Sequence, residues 1–539
     1  MTDGTNKRLM QLIHPETQAY SQSKPDTVSY RKKTVVFVSA LFIIKIILAF
    51  VLELGNDEAY YWLYSQYLQW NYFDHPPMVA LWIRLFTVNL ALEQYAGFLR
   101  LGSVVGCVLS SWFLFRALVL LHSERAGWIA VVMYNISLYS GITAGLYIMP
   151  DAPEMVFWTL ALLIIVRITK DDNSWTNWLL FGFVAGLCIM SKVHGAFLWI
   201  GVASYALFQK NDWLKKPKLF AALLVTLIVI SPIFFWNIEY GFATIRFHSA
   251  RVDVNRFVFH WRYFFKELGS EIGFNNPVNF FIIVSGLVAI YRRRVRYQPA
   301  LAIFNFVGLP LAFLLLFISM FKNVTLPHWS GPAYVSLIPL GAVWLANCSY
   351  RQFPKILRWG TGVFLFGYLG YSFAVRFYPG TYGSHNERDL GRGDITLDMY
   401  GWRKAADQFD SLYKDDVAKG RMPSNAAMVT TYWWGAHVEY YFARPLQLKM
   451  IGIGKPQYLH EYLWTNNKRI STVDLNNVYF VVAVDERYSL PSVLYRSSEL
   501  ALTIDINRSG EPAHRFLVYR LRGLKEPLRL GAAAHKDPL

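Results

Sequence analysis

The chain has 539 residues, of which 54% are hydrophobic and 17% are aromatic, and it carries a formal net charge of +17. This apolar content exceeds that of a soluble domain of the same length and places most of the chain in a membrane. Lys and Arg are spread over short loops between apolar runs, whereas a nucleic-acid-binding face would gather them in one stripe. We therefore exclude a nucleic-acid partner and attribute the charge to membrane topology and to contact with membrane lipids.

The cysteines predict neither a disulfide nor a zinc site, and the amino terminus does not predict a cleaved signal peptide. Cys107 and Cys188 lie inside apolar runs and Cys348 just after one, so no pair in the hydrophilic tail predicts a disulfide. The sequence also lacks the Cys/His spacing of a structural zinc site. Residues 1–33 are polar, and no small-residue cleavage site follows the first apolar run. This segment is therefore predicted to be retained and to stay cytoplasmic.

Apolar runs long enough to cross a bilayer predict about eleven transmembrane helices over residues 34–377. The runs start at Thr34, Leu101, Ala126, Ala152, Trp178, Ala196, Leu219, Val278, Ala300, Ala333 and Thr361. Joining them alternately puts Lys or Arg in each cytoplasmic loop and the acids on the opposite, outer face. Lys45, inside the first run, must either snorkel to the surface or find a polar partner.

Residues 378–539 are hydrophilic, and an odd number of spans from a cytoplasmic start places them on the extracytoplasmic (periplasmic) side of the membrane. Five runs there are strand-like: Ala427 to Thr431, Leu448 to Ile453, Val478 to Val484, Leu500 to Ile506 and Arg515 to Leu521. Two runs, Trp402 to Tyr413 and Ala436 to Phe442, are helix-like. The pattern predicts a soluble α/β domain after the α-helical membrane domain.

Acidic residues directly follow the first apolar run. Asp57 and Glu58 stand together there, and Asp74-His75-Pro76-Pro77 comes one short helix later. A carboxylate at the membrane edge is costly unless it is paired, hydrated or used, so this pattern predicts a functional site. A structural alternative stays open for each acid: Asp57 as the cap of a helix that begins at Glu58, Glu58 as a first-turn acid, and Asp151, at the start of the fourth span, as another cap.

The order of motifs resembles the GT-C glycosyltransferases that use polyprenyl-phosphate sugars, specifically the protein-mannosyltransferase and aminoarabinose-transferase group. The motifs are Asp57-Glu58-Ala59-Tyr60-Tyr61, Gly97-Phe98-Leu99-Arg100-Leu101, Met149-Pro150-Asp151-Ala152-Pro153, Ser191-Lys192-Val193-His194-Gly195, Phe247-His248-Ser249-Ala250-Arg251 and Pro327-His328-Trp329. The resemblance covers the membrane half well and the tail only weakly. It implies a large first outer loop that contains two juxtamembrane helices.

The resemblance implies that Asp57 is the acid needed for transfer. Chemistry agrees, because a sugar on a lipid phosphate already has a good leaving group and lacks only a base for the incoming hydroxyl. Glu58 would orient the acceptor or raise the basicity of Asp57, and the resemblance gives Asp151 a functional role as well. These three residues are the predicted catalytic acids.

The phosphate of the donor requires cations at the same depth. The predicted phosphate-binding residues are Arg100, Lys192, Arg246 and Arg251, and the predicted substrate-binding residues are Tyr60, His75, His194, His248, His328 and Trp329. Snorkelling basic residues, structural histidines and an interfacial aromatic belt are the alternatives for these side chains.

These features predict an inverting glycosyltransferase. It would move a sugar from a polyprenyl phosphate, expected to be undecaprenyl phosphate, to a lipid, glycan or protein acceptor on the outer face of the cytoplasmic membrane. The alternative is a transporter or a polyprenyl-lipid flippase, which would carry charges near the middle of several spans. We expect no redox cofactor, and the sequence allows a divalent cation without requiring one. No Gly-rich phosphate loop is present.

Overall fold

The computed structural model describes residues 29–252, 258–292, 299–323, 326–348, 353–486 and 490–525. Most of the predicted amino-terminal segment and residues 526–539 of the tail lie outside this part of the chain. The long helices of the membrane half are Tyr30–Val51 (α1), Ala96–Leu121 (α4), Glu124–Asn135 (α5), Asp151–Lys170 (α6), Trp175–Ser191 (α7), Ala196–Gln209 (α8), Pro217–Glu239 (α9), Trp261–Phe274 (α11), Pro277–Tyr291 (α12), Pro299–Ser319 (α13), Gly331–Cys348 (α14) and Lys355–Phe377 (α15). The shorter helices Asn56–Gln66 (α2), Met78–Phe86 (α3) and Ala243–Val252 (α10) lie between them.

Every predicted span start falls inside one of these helices. Among the described residues, six helices are long and apolar enough to cross a membrane, or seven if α11 and α12, which meet at 101°, form one span. The helices α7 and α8 are apolar but shorter. The chain is therefore a multi-pass membrane protein, and the predicted number of about eleven spans stays a prediction.

Lys45 finds a partner inside the membrane domain. Its side chain is buried on α1, and its Nζ donates to Sγ of Cys107 on α4 at 3.0 Å. The same sulfur lies 3.5 Å from Oδ1 of Asn135 on α5. A polar contact among three helices thus replaces the snorkelling alternative for this lysine.

The loop between α1 and α4, which the sequence predicts to be the first outer loop and which keeps that name below, contains the two short helices that the family resemblance implies. The helix α2 follows α1 after four residues, and α3 begins directly after Pro76-Pro77. Each proline restricts the backbone before it, so the chain bends here and restarts as a new helix. The two helices pack together and carry Asp57, Asp74 and His75 on or between them.

The tail forms a mixed five-stranded sheet in the described residues. Its strands are Ala426–Thr430 (β1), Met450–Gly452 (β2), Asp474–Ala483 (β3), Tyr495–Arg508 (β4) and Glu511–Leu524 (β5), in the order β2-β1-β3-β5-β4. The pairs β1–β2 and β1–β3 are parallel, whereas β3–β5 and β4–β5 are antiparallel. All five predicted strands are present, and the first predicted helix is Trp402–Ala418 (α16). The second is a short α-helix, Gly435–Val438 (α17), that continues as a π-helical turn, Glu439–Ala443.

The α/β domain packs directly on the first outer loop. One hydrophobic core contains Tyr60 and Trp62 from α2 together with Trp402, Phe409 and Phe516 from the α/β domain. Hydrogen bonds cross the same junction. The Leu54 N–H donates to the Tyr441 hydroxyl at 2.7 Å, and the Trp402 N–H donates to Glu53 Oε2 at 2.9 Å. The amino end of α2 is thereby held between the two domains.

Candidate active site

Arg100 and Glu58 form an ion pair with side chains 0% and 3% exposed. Nε of Arg100 donates to Oε1 of Glu58 at 2.7 Å, and Nη2 donates to Oε2. The remaining guanidinium donors reach the carbonyl oxygens of Ala49, Leu52 and Glu53 at the end of α1. Arg100 therefore satisfies carbonyl groups at the carboxyl end of α1. Because its donors are used in this way, its position argues against the predicted phosphate-binding role. Glu58 accepts from the Gly55 and Ile148 N–H groups as well, so its carboxylate fixes the loop and is not placed to act on substrate.

Asp57 differs from its neighbour in having no partner. The helix α2 begins at Asn56 with Gly55 as its cap, so Asp57 is not the cap that the sequence left open. Among the described residues, its carboxylate makes no hydrogen bond or ion pair, and it lines a cavity between α2 and the α/β domain. The side chain is exposed to this cavity although protein surrounds it. A carboxylate so placed is free to accept a proton.

The surroundings of Asp57 shift its titration upward. Burial raises the pKa of Asp57 to about 6, and the negative charges of Asp74, Glu58 and Asp151 add to the rise. At neutral pH the group remains mostly ionised, yet it is a stronger base than an ordinary aspartate. A base with a pKa near the working pH is the arrangement that general-base catalysis favours.

Asp74 organises the loop between α2 and α3. The hydroxyls of Tyr60 and Tyr64 both donate to its Oδ1, the former at 3.0 Å. Nε2 of His248 donates to its backbone carbonyl at 2.7 Å. Burial would raise the pKa of Asp74, but His75, His460 and the Tyr64 hydrogen bond outweigh it and lower the pKa. The sequence motif contained this acid, yet only His75 of the pair was predicted to bind substrate.

The predicted binding role of Tyr60 is not supported by its position. Its side chain is 2% exposed, and its hydroxyl is used to hold Asp74. The ring packs against Trp433 of the α/β domain at 4.9 Å between centroids. Tyr60 thus links the two domains and fixes Asp74 between them.

Lys192 and Asp151 form a second buried ion pair, with 2.8 Å between Nζ and Oδ1. Asp151 opens α6, and Lys192 directly follows α7, so the pair also joins the outer ends of two helices. An ammonium has three donors. One is used by Asp151, and within the described part of the chain the others make no hydrogen bond. Asp151 is therefore placed to hold Lys192 in position. Beside this pair, Nδ1 of His194 lies 3.7 Å from Glu154 Oε1.

Arg251 is the best-placed cation of the outer loop. Its guanidinium stacks between Phe247 at 5.4 Å and Trp329 at 5.1 Å. Within the described residues it has no hydrogen-bonded carboxylate, so its planar fork of donors is open to a bidentate anion. Arg246 lies five positions earlier on α10, which turns it by about 140° away from Arg251. Its side chain is exposed, and the structure does not bring it to the other predicted residues.

The remaining predicted histidines converge on the same place. Nine residues each interact electrostatically with at least one other of the set, and we call them the central cluster: Asp57, Asp74, His75, Asp151, Lys192, His194, His248, Arg251 and His328. Burial lowers the pKa of His75 to about 3, with Lys192 and His248 adding to the effect, so this ring is neutral at physiological pH. Trp329 lies against His194, with 6.4 Å between ring centroids.

The α/β domain also contributes His460, which no sequence pattern distinguished from its neighbours. The ring of His460 lies 5.0 Å from Phe73 and 5.5 Å from Phe247, and it stacks on Trp433. Its charge interacts with Asp74. No group of three or more His, Cys, Asp or Glu side chains in the described part of the chain is arranged to hold a metal ion.

Comparison with known proteins agrees with this architecture. Residues 74–236 match the family described as dolichyl-phosphate-mannose-protein mannosyltransferase. The structures of ArnT from Cupriavidus metallidurans, in the apo state and bound to undecaprenyl phosphate, superpose with TM-scores of 0.60 and 0.61 at 13% identity. They cover 92% and 93% of this chain and 98% and 100% of theirs. The chain therefore has the fold of these ArnT structures. The family resemblance and the fold class predicted from the sequence are thus confirmed.

A curated relative covers part of the chain. The lipid A galacturonosyltransferase RgtD of Rhizobium johnstonii is 25% identical over 303 residues, which are 56% of this chain. The match spans 62% of the length of that relative. The residues matched by the family include Asp74, Arg100, Asp151 and Lys192.

Proposed function

We propose that the protein is an inverting glycosyltransferase that moves a sugar from a polyprenyl phosphate to an acceptor hydroxyl. The observation that carries the proposal is the unpartnered carboxylate of Asp57, which faces a large cavity and belongs to the same cluster as the cations Lys192 and Arg251. A base beside an open cavity, next to an anion-binding pair, is what this transfer requires.

The proposed reaction is a single displacement. Asp57 removes the proton from the acceptor hydroxyl while the oxygen of that hydroxyl bonds to the anomeric carbon of the donor. The bond from that carbon to the phosphate oxygen breaks, and polyprenyl phosphate leaves with the electron pair. Lys192 and Arg251 stabilise the negative charge on the phosphate, and attack opposite the leaving group inverts the anomeric configuration. Asp74, His75 and His248 position the loop that carries this chemistry.

The comparisons support the identity of the reactants. An ArnT structure of the same fold contains undecaprenyl phosphate, which we propose as the carrier lipid of the donor here. The curated relative is named a lipid A galacturonosyltransferase, and we propose a glycolipid with a sugar headgroup as the acceptor. Such a donor fits an active site on the outer face of the cytoplasmic membrane, where nucleotide sugars are not supplied.

The direct test is to reconstitute the purified protein in vesicles with a glycolipid extract and a radiolabelled sugar on undecaprenyl phosphate. We expect labelled glycolipid and free undecaprenyl phosphate in equal amounts. The same sugar presented as a nucleoside diphosphate is the matched control and is expected to give no product. Transfer from the nucleotide sugar, or movement of intact donor across the bilayer without cleavage, would contradict the proposal.

The outer location has its own test. We propose that the three native cysteines be replaced and single cysteines introduced at Trp70, Glu387 and Asp171, which are exposed positions. A thiol reagent that cannot cross the cytoplasmic membrane should label the first two positions in intact cells and spare the third. Labelling of Asp171→Cys alone would place the central cluster on the cytoplasmic face.

A further inference from the structure

The cavity that Asp57 lines has a volume of about 1260 Å³. Among the described residues, Asn56 and Asp57 are the lining residues from the membrane half, and the others belong to the α/β domain. The volume exceeds the range of about 300 to 1,000 Å³ that is typical of small-molecule sites, so it can hold more than one sugar ring. The α/β domain therefore provides most of the surface that faces the catalytic carboxylate.

The cavity lies at a specific place in the sheet. Strand β2 pairs with one edge of β1. The chain then crosses β1, so that β3 pairs with the other edge. The order of the strands thus reverses at the carboxyl ends of β1 and β3. Parallel strands of α/β domains bind ligands at such a switch point. Residues that directly follow these strands line the cavity: Thr431, Tyr432 and Trp434 after β1, Ile453 to Lys455 after β2, and Asp485 and Glu486 after β3.

In the described part of the lining, acids outnumber bases. Its acids are Asp57, Asp394, Asp398, Asp485 and Glu486, and its bases are Arg392, Lys455 and His514. Asp394 is neutralised by the buried guanidinium of Arg508, at 2.9 Å. Asp485 accepts from Nε2 of His514 at 3.0 Å. Asp57, Asp398 and Glu486 remain without a cationic partner in the described structure.

Crowding of these acids raises their pKa values. Burial raises the pKa of Asp398 to about 7, and the charges of Asp57, Glu58 and Asp485 add to the rise. Burial also raises the pKa of Glu486 well above its ordinary value, with Asp485 and Asp398 contributing. Both effects favour the protonated forms of Asp398 and Glu486, so an ammonium bound in the cavity would stabilise their ionised forms, whereas a phosphate would disfavour their ionisation.

Aromatic rings also line the cavity. Tyr458 is 45% exposed, and its ring lies 5.9 Å from that of Tyr432, nearly parallel to it. Trp434 lines the same wall. Aromatic faces beside carboxylates attract ammonium groups and offer flat apolar surface to a ring.

We propose that this cavity is the acceptor subsite and that it takes an amine-bearing or uncharged sugar and excludes a sugar that carries phosphate. This inference rests on the proposed transferase function. The ring of the acceptor lies against Tyr458, the amine or hydroxyls contact Asp398 and Glu486, and the accepting hydroxyl points to Asp57. The two sites thereby differ in phosphate binding: the phosphate of the donor binds to Lys192 and Arg251, and the cavity beside Asp57 excludes phosphate.

Sugar binding can be measured without transfer. The probe is methyl 2-amino-2-deoxyglucoside, with its 6-phosphate as the matched ligand, and binding to the purified full-length protein is followed by saturation-transfer NMR and calorimetry. We expect the amine glycoside to bind at least tenfold more tightly than the phosphorylated one. Tyr458→Ala and Glu486→Gln should each weaken binding of the amine glycoside about tenfold. Glu511→Gln, on the exposed β4–β5 turn outside the cavity, should bind it like the unmodified protein.

The outcomes separate the two proposals. Equal binding of the two glycosides, or unchanged binding in both cavity variants with their thermal unfolding unaltered, would overturn the subsite. Binding that follows the prediction while no sugar is transferred from undecaprenyl phosphate would support the subsite and overturn the transferase function. Charge reversal by Glu486→Lys gives a second check, because it should raise affinity for the phosphorylated glycoside if the acids cause its exclusion.

Discussion

The guanidinium of Arg100 and the carboxylate of Glu58 meet in a two-point ion pair beneath the first outer loop. Through it, the second long helix holds both the end of α1 and the start of α2. Two adjacent acids thus have different roles. The Glu58 carboxylate pairs with Arg100, whereas the Asp57 carboxylate makes no hydrogen bond or ion pair with the described residues. The difference arises because successive residues of a helix point about 100° apart.

Arg100→Ala should destabilise the protein by about 3 kcal/mol or more, because it leaves the Glu58 carboxylate buried without its partner. Thermal unfolding in detergent measures this. The double variant Arg100→Met with Glu58→Met removes both charges and should recover much of the loss. Normal stability of Arg100→Ala combined with weakened binding of undecaprenyl phosphate would instead restore the phosphate-binding role predicted for this arginine.

Donor binding should depend on Lys192 and Arg251. We expect Arg251→Ala and Lys192→Ala each to weaken binding of undecaprenyl phosphate about tenfold or more, because each removes a cation from the phosphate site. Arg251→Lys should recover only part of the affinity, since it lacks the bidentate fork. Arg246→Ala on the same helix is the matched control and should bind normally. An equal effect of Arg246→Ala and Arg251→Ala would indicate general attraction to the anionic lipid.

Much of this architecture could be predicted from the sequence. Each predicted apolar run begins in a helix and each predicted strand overlaps an observed one, because both signals are local, whereas no run predicted α11. The roles of Arg100 and Glu58 could not be predicted, since each depends on a partner 42 positions away in the chain. Motif order selected Asp57, His75, Asp151, Lys192, His248 and Arg251, which all belong to the central cluster, and their roles stay predictions. His460 and Asp398 come from the tail, where no local pattern distinguishes a residue that faces the membrane domain.

Transfer should depend on pH through Asp57. Because its pKa is raised to about 6, we expect kcat/KM to rise about tenfold per pH unit below pH 6 and to level off above it. The rate is measured from pH 4.5 to 8 at saturating donor. A profile that is flat across pH 6 would exclude Asp57 as the titrating base.

The same pKa shift affects stability. A folded-state pKa of about 6 lies above the ordinary aspartate value, so protonated Asp57 stabilises the fold at low pH, and this contribution is lost as the pH rises through about 6. Asp57→Asn avoids that loss. Its Tm should therefore equal that of the unmodified protein near pH 4 and exceed it at pH 7 to 8, as at other functional sites. A lower Tm at pH 8 would indicate that the Asp57 carboxylate stabilises the fold.

The proposed transfer mechanism requires Asp57 to act as the general base. Asp57→Asn keeps the shape of the side chain but removes the proton acceptor, so turnover with undecaprenyl-phosphate sugar should fall about a hundredfold to ten-thousandfold. Binding of undecaprenyl phosphate should be unchanged, and Asp410→Asn, the same substitution on the exposed helix α16, should turn over normally. The deciding measurement is the rate of undecaprenyl phosphate release by Asp57→Asn at saturating donor and acceptor. A rate within a few-fold of the unmodified protein would contradict the assignment.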